Sequence, residues 1–502
     1  MQKLAAIDAN FLYTETDRMP NHISAFQILE LPDGTDVDDF IANIKRGYME
    51  RLHLVPYLYR KIQFTPGNFD HPVWVTDENF DVDNHVFKAV LPGPGTFRQL
   101  EEKIAEIHTG RLDRDKPLWK LFVICGLEDE NKIAYYSCSH HACLDGVAGT
   151  EATETLMDPT PEVRRFKPPE NFPPRDDGGL AELLRLSIQN LIKGQIDAPA
   201  RILNMLDSMS RVTRRSVTSY EGVGAAAQLA PKTRFNRSID RDRRYAAGDF
   251  LMSDLKAMKN AAGCKLNDIF LAVCAGGLRR YLERRSELPE LPLLAGCPVS
   301  LRQPGDKGMN TQVIMMNVNL ATDIQDAGQR LSAIRASANT AKEMVAETTG
   351  DFSPDLSVFG LPALLTQTAQ LMDAFAMADS MPVPMNLVIS NVPGPRQRLY
   401  SWGAKMLAHY PVSIPAHGMG VNITVHSYVD TFYFAITACA KALPDVEVLR
   451  DDIVASFHEL MDLLIPRDHK VSDLKVPETV RQTPPVQLQE ELQPQIEESK
   501  VA

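Results

Sequence analysis

Hydrophobic positions along this chain follow two periods, and the switches between them mark its elements. Residues 22–31, HISAFQILEL, alternate as a strand does and stop at the turn Pro32-Asp33-Gly34. From Asp36 to Arg51 the spacing becomes helical, with Asp36 or Asp38 placed as cap and Phe40, Ile41 and Ile44 on one face. Residues 71–77 and 84–91 read as strands, Pro92-Gly93-Pro94-Gly95 as a loop, and 97–108 as a helix. The apolar runs 117–127 and 133–141, separated by a charged turn, predict paired antiparallel strands. In the second half, Leu266-Asn267-Asp268 opens an apolar helix to Tyr281, with Asn267 or its neighbour as cap. Strands are expected at 294–302, 313–320 and 385–395, and a hairpin over 418–439 that turns at 428–431. Helices are expected at about 326–342, 361–378 and 445–464.

Between these halves the proline-dense stretch 158–178 cannot hold a regular element and reads as a linker. With 502 residues the chain exceeds a typical single core, so two domains are expected, and 44% apolar content suffices for both. The division is an N-terminal domain at 1–175, a linker with amphipathic helices at 176–229, a C-terminal domain at 230–468 and a disordered Gln/Glu/Pro-rich tail at 469–502.

A net charge of −12, with no long basic run, speaks against a nucleic-acid binder. One segment departs from that acidity: residues 201–244 carry ten Lys and Arg against four acids, a surface for anionic lipid or substrate phosphates unless it is simply solvated. The seven cysteines are odd in number and lack a C-x-x-C pair, which fits reduced thiols in the cytosol. The N-terminal stretch has no secretion-signal pattern and no apolar run is long enough to span a bilayer, so membrane contact is expected to be peripheral. Gly222-Val223-Gly224-Ala225-Ala226-Ala227 resembles a dinucleotide loop only superficially, because no strand precedes it. There is no G-x-S-x-G elbow and no Walker loop.

The chemistry concentrates at His140-His141-x-x-x-Asp145-Gly146, where a strand delivers two histidines to a turn. A neutral imidazole accepts a proton near neutral pH, so a general base is the first reading. Metal binding is disfavoured, because neighbouring strand residues face opposite sides and would not converge on one ion. One histidine, His140 above all, can equally be a hydrogen-bonded core residue. Cys143 inside the motif is better read as a small apolar filler than as a nucleophile.

Six motifs occur in order: Pro117-Leu118-Trp119, the histidine motif, Asn267-Asp268, Pro298-Val299-Ser300-Leu301-Arg302, Ser390-Asn391-Val392-Pro393-Gly394-Pro395 and Val421-Asn422-Ile423-Thr424-Val425. Together they resemble the bacterial wax ester synthase/diacylglycerol acyltransferase family over residues 1 to about 465. The resemblance implies an α/β fold of two chloramphenicol-acetyltransferase-like domains, each a mixed sheet flanked by helices, with an active-site tunnel between them. It also implies kinship with condensation domains of peptide synthetases, which share the histidine motif alone. A departure is GDKGMNTQ after Arg302, where many members carry a Gly-Asn pair. The implied activity moves a fatty acyl group from acyl-CoA to a long-chain alcohol or diacylglycerol, giving wax ester or triacylglycerol and free CoA. The alternative is a condensation-type or polyketide acyltransferase with a carrier-bound donor.

The resemblance assigns the base to His141 and a supporting role to His140. Asp145 is expected to hold the loop through an Arg or backbone hydrogen bonds, and Gly146 to permit the turn. Asn267, Asp268, Arg302 and Asn391 are candidates for substrate contact or support, Asn267 for a polar contact near the reacting carbonyl unless it is a plain helix cap. No cofactor and no metal is expected, since acyl-CoA is itself a substrate. The helices at 180–216 and their arginines suggest docking at the inner membrane face or a lipid inclusion.

Overall fold

A computed structural model of the protein describes residues 2–68, 70–174, 179, 181–190, 192, 229–302, 311–348 and 361–465. The dinucleotide-like glycines, Arg211, Arg214, Arg215, residues 303–310 and the tail lie outside them. In chain order the strands of the first half are β1 (Gln2–Lys3), β2 (His22–Glu30), β3 (Arg60–Gln63), β4 (Val73–Thr76), β5 (Val86–Val90), β6 (Trp119–Cys125) and β7 (Lys132–His140). Those of the second are β8 (Arg243–Leu251), β9 (Leu294–Ser300), β10 (Val313–Asn319), β11 (Leu387–Val392), β12 (Tyr400–Ser401), β13 (Ala404–Val412), β14 (Val421–Tyr428) and β15 (Thr431–Cys439).

These strands form two six-stranded mixed sheets and a three-stranded antiparallel one, β1-β4-β3. The first large sheet runs β12-β13-β2-β7-β6-β5 and is antiparallel except for β5 beside β6. The second runs β10-β9-β11-β14-β15-β8, with β11 parallel to both β9 and β14. Helices flank both. In the second half, Leu266–Glu283 packs its fully buried run from Ile269 to Leu278 against Val446–Leu464.

Two strands of the first sheet come from the second half of the sequence. β13 pairs with β2, His409 opposite Gln27 and Tyr410 opposite Phe26, and carries β12 with it. The stretch 230–468 thus does not stay in one sheet, as a division by sequence alone implied. Residues 404–412 showed no strand signal because Pro411 lacks a ladder donor and a bulge between Met406 and Ala408 breaks the alternation. Yet Ala404, Met406, Tyr410 and Val412 all enter the first core. A buried cluster fixes the graft: Asp158 exchanges backbone hydrogen bonds with Tyr400, both 2.7 Å, while its carboxylate receives Arg51 Nη2 at 2.7 Å and Arg164 Nε at 2.9 Å. The Arg51 guanidinium lies 4.6 Å from the Trp402 ring centroid.

Candidate active site

β7 is the strand on which the site is built. It lies inside the first sheet between β2 and β6, so both of its edges are hydrogen-bonded, and Tyr135, Ser137 and Ser139 of one face line a cavity. His140, its last residue, sits opposite His22 of β2, and His141 follows as the chain leaves the sheet. The two rings diverge as strand geometry requires.

His140 turns inward and is 1% exposed. Its Nδ1 accepts from the Ala142 backbone N–H at 3.0 Å, which puts the ring proton on Nε2, 3.5 Å from Glu15 Oε1. His22 Nε2 approaches the same oxygen at 3.6 Å. Glu15 Oε2 is held by Arg114 at 2.6 Å and Arg111 at 3.3 Å. Burial works to raise the Glu15 carboxyl, but the approach of His140 and His22 to it and the charge of Arg114 outweigh that and keep it well below the usual carboxylate range. His140 thus turns its ring N–H toward a buried anion at more than normal hydrogen-bond length. Burial lowers its own pKa against the pull of Glu15.

His141 turns the other way. Its ring stacks on Phe11, centroids 3.9 Å apart and 9° from parallel, and its backbone N–H donates to the Asn21 carbonyl at 2.8 Å. It lines a cavity of about 900 Å³ whose walls come from both halves of the chain, among them Leu144, Gly146, Met315, Ser390, Asn391 and Val412. Of its two nitrogens only Nδ1 is enclosed, and among the described residues it meets nothing but its own backbone. Burial pushes its pKa down to about 4; hydrogen bonding to its own backbone opposes this, the neighbouring His140 adds to it, and Asp145 opposes it. Above that pH the imidazole is neutral.

Asp145 caps the helix Gly146–Leu156 by accepting from Ala148 N at 2.9 Å. Its other oxygen accepts from Arg302 Nη2 at 2.9 Å and Nε at 3.1 Å, and both side chains are buried. Asp145 thus holds the loop and ties it to the second half of the chain. Gly146 has another purpose than the turn expected of it: it opens a helix with an ordinary φ, and a Cβ there would lie 2.9 Å from the Val392 side chain. One turn on, Thr150 Oγ1 donates to the Pro393 carbonyl at 3.0 Å, so the histidine loop and the 390–395 segment are packed together.

Asn391 lines the cavity, whereas Asn267 and Asp268 do not. The contact to a reacting carbonyl expected of Asn267 is corrected accordingly. Asp268, 1% exposed, closes the start of the Leu266–Glu283 helix by accepting from Lys265 N at 2.9 Å, and Asn267 stands beside it at that helix terminus. Cys143 is buried and its thiol is pushed far up by that burial, in keeping with a filler.

Sequence reasoning missed Glu15, Arg111, Arg114, Phe11 and Asp8. Asp8 accepts from Thr311 N at 2.9 Å and is raised to about 6 by burial. Phe11 and Asp8 lie on the helix Ala6–Thr14, which buries Asp8, Ala9, Leu12 and Tyr13 on one face; a charged residue on that face and the apolar Ile7 and Phe11 off it blur the stripe that betrays a helix in sequence.

With this geometry in view, comparisons place the chain among known proteins. Residues 4–270 match the wax ester synthase/diacylglycerol acyltransferase catalytic domain, and 310–461 match the WS/DGAT C-terminal domain. A Mycobacterium tuberculosis protein described as a putative diacylglycerol O-acyltransferase is 32% identical over 91% of this chain and 99% of its own length. Among solved structures, the wax ester synthase/diacylglycerol acyltransferase from Marinobacter aquaeolei superposes with a TM-score of 0.65 at 27% identity, covering 92% of this chain and 99% of its own. The starter condensation domain of rhizomide synthetase shares the fold, with a TM-score of 0.53 at 11% identity over 92% of this chain and 94% of its own.

The Asp145–Arg302 pair is open to test by a double-mutant cycle in urea. Arg302→Ala alone should cost about 3 kcal/mol, because it leaves a buried carboxylate without its cation. Adding Asp145→Ala should cost less than the two single changes summed, and strict additivity would show that the pair is not coupled.

Proposed function

The chain belongs to the wax ester synthase/diacylglycerol acyltransferase family and is an acyl-CoA-dependent O-acyltransferase, and within that activity we propose that His141 is the general base. The observation that carries this reading is a neutral imidazole, stacked on Phe11, on the wall of a cavity built by both halves. The open nitrogen Nε2 removes the proton of an acceptor hydroxyl as that oxygen attacks the thioester carbonyl. The C–S bond breaks, and the departing CoA sulfur takes the proton back from the imidazolium. The thioester is already activated, so this scheme needs neither a covalent enzyme intermediate nor a cofactor. His140 and Asp145 act by position: one anchors the base to the Glu15 cluster, the other fixes the loop. Of the two asparagines singled out in the sequence, Asn391 rather than Asn267 is within the cavity and available to the reacting carbonyl.

The acceptor is a long-chain alcohol or diacylglycerol, and the mostly apolar cavity suits both, since water is the competing nucleophile. Such substrates live in lipid phases, so the protein is expected to dock peripherally on a membrane or lipid inclusion. No single described helix is long and apolar enough to cross a membrane. The helix Leu361–Ala374 turns Ala369 and Met372 to the cavity, while Leu364, Leu371 and the following Phe375 are 53–73% exposed. In the described part of the linker, Leu184, Ile188 and Ile192 form a second exposed stripe at helical spacing. Both stripes favour a lipid surface.

Purified protein supplied with palmitoyl-CoA and either hexadecanol or diacylglycerol should release free thiol and form ester; a requirement for a carrier-bound acyl group would overturn the acyl-CoA reading. His141→Ala should lower kcat by about two to four orders of magnitude while preserving the fold. The base must be neutral to act, so kcat/KM should hold steady above the His141 pKa and fall only as pH drops through about 4. An acidic limb centred at the ordinary histidine value instead would exclude His141, as buried, from the role. Leu364, Leu371 and Phe375 replaced together by Ser should weaken vesicle co-sedimentation by about ten-fold or more, and unchanged binding would remove that face from the docking surface.

A further inference from the structure

The cavity carries a second pair of histidines, in which the proposed mechanism has no part. β14 sends Val421, Ile423 and Val425 into the second core, which leaves Asn422, Thr424 and His426 on its other face. All three line the cavity. Thr424 Oγ1 donates to Asn422 Oδ1 at 2.8 Å, and Asn422 Nδ2 to the Ile414 carbonyl at 3.2 Å, so these two are satisfied locally.

His426 has no such closure. Its ring lies on that of His409, centroids 4.7 Å apart and 17° from parallel. His409 is buried, also lines the cavity, and belongs to β13 in the other sheet, where its Nδ1 is 3.2 Å from Gln27 Nε2. The stacked rings therefore bridge the seam between the two sheets. Burial pushes His409 down to about 4 and His426 well below its ordinary value, the latter also through the nearness of His409. Both are neutral, each with one N–H and one lone pair. The Gln27 amide donating to His409 Nδ1 sets the His409 proton on Nε2. His426 Nδ1 is enclosed without a partner among the described residues, so Nε2 is its nitrogen that reaches the cavity.

Two imidazole edges on a largely apolar wall are unfavourable against alkyl chains and favourable against hydrogen-bond acceptors. A long-chain alcohol offers one polar atom, and His141 engages it. A diacylglycerol adds two ester carbonyls a few bonds from its hydroxyl, which are acceptors without protons to give. We propose that the stacked His409–His426 pair is an acceptor subsite whose Nε2–H groups donate to ester carbonyl oxygens of a glyceride, favouring diacylglycerol over simple alcohols. This rests on the reading of the cavity as the site of O-acyl transfer.

The test compares a 1,2-diacylglycerol with its 1,2-dialkyl ether, which has the hydroxyl and chains but no carbonyls, using palmitoyl-CoA as donor. For the wild-type protein kcat/KM should be about ten-fold higher for the diester, as expected for one net hydrogen bond. His426→Leu and His409→Leu should shrink that gap to about two-fold, and His426→Gln, which keeps an N–H, should retain most of it. Equal use of ester and ether by the wild type, or transfer to neither, overturns the proposal without any variant, so a misfolded variant does not leave it undecided. A gap that persists in both Leu variants overturns it too, as does a rise in the KM for palmitoyl-CoA with the gap intact, which would assign the pair to pantetheine amides. Failure of the underlying reading looks different: His141→Ala would then transfer to every acceptor at the wild-type rate.

Discussion

A buried carboxylate must find a cation or lose its charge, and in this protein Asp145 finds one 157 positions along the chain in Arg302. That pairing sets the geometry around it. Asp145 also caps the helix that follows the histidines, so the position of β9, whose end leads into Arg302, is passed directly to the histidine loop. Gly146 then lets Val392 of β11 approach, and Thr150 reaches the Pro393 carbonyl. Three successive contacts lock one loop of the first sheet against two strands of the second. The cavity is what lies between surfaces held apart at that fixed spacing.

The histidines divide by which side of a strand they occupy. His140 and His22 converge on Glu15, an anion already compensated by Arg111 and Arg114, and this supports the strand from behind. His141, His409 and His426 all face the cavity, where burial makes the charged form unfavourable. The same low polarity that keeps a base unprotonated makes every neutral N–H on the wall a selective feature. One environment can therefore serve both proton transfer and recognition.

Much of this was legible in the sequence, and the gaps have common causes. The strand ending at His140 and the opposed faces of the two histidines follow from period-two alternation, and a bond from Asp145 to an arginine follows from the chemistry of a buried acid. Which arginine pairs with it is a matter of topology, and Arg302 entered through a motif rather than through spacing. Glu15, Arg111 and Arg114 left no signal because they lie about a hundred residues apart and each looks like a surface charge. The helix Gly146–Leu156 was hidden by its opening glycine, a residue that marks turns more often than helix starts. Asn267 misled because a motif position was read as chemistry when its neighbour Asp268 serves the helix start, accepting from Lys265 N.

The graft of β12 and β13 into the first sheet also bears on how the protein is made. Synthesis runs from the N-terminal toward the C-terminal end, so β2, with Phe26 and Leu29 destined for full burial, is complete long before residues 404–412 leave the ribosome. From the synthesis of His140 until that of Ala404, roughly 260 residues later, the sheet that carries the histidines has an open apolar edge. Such an edge invites pairing with another chain and draws on chaperones. It also means that the His409 half of the cavity wall arrives last, so a nascent chain has its histidine motif well before it has an enclosure in which to use it.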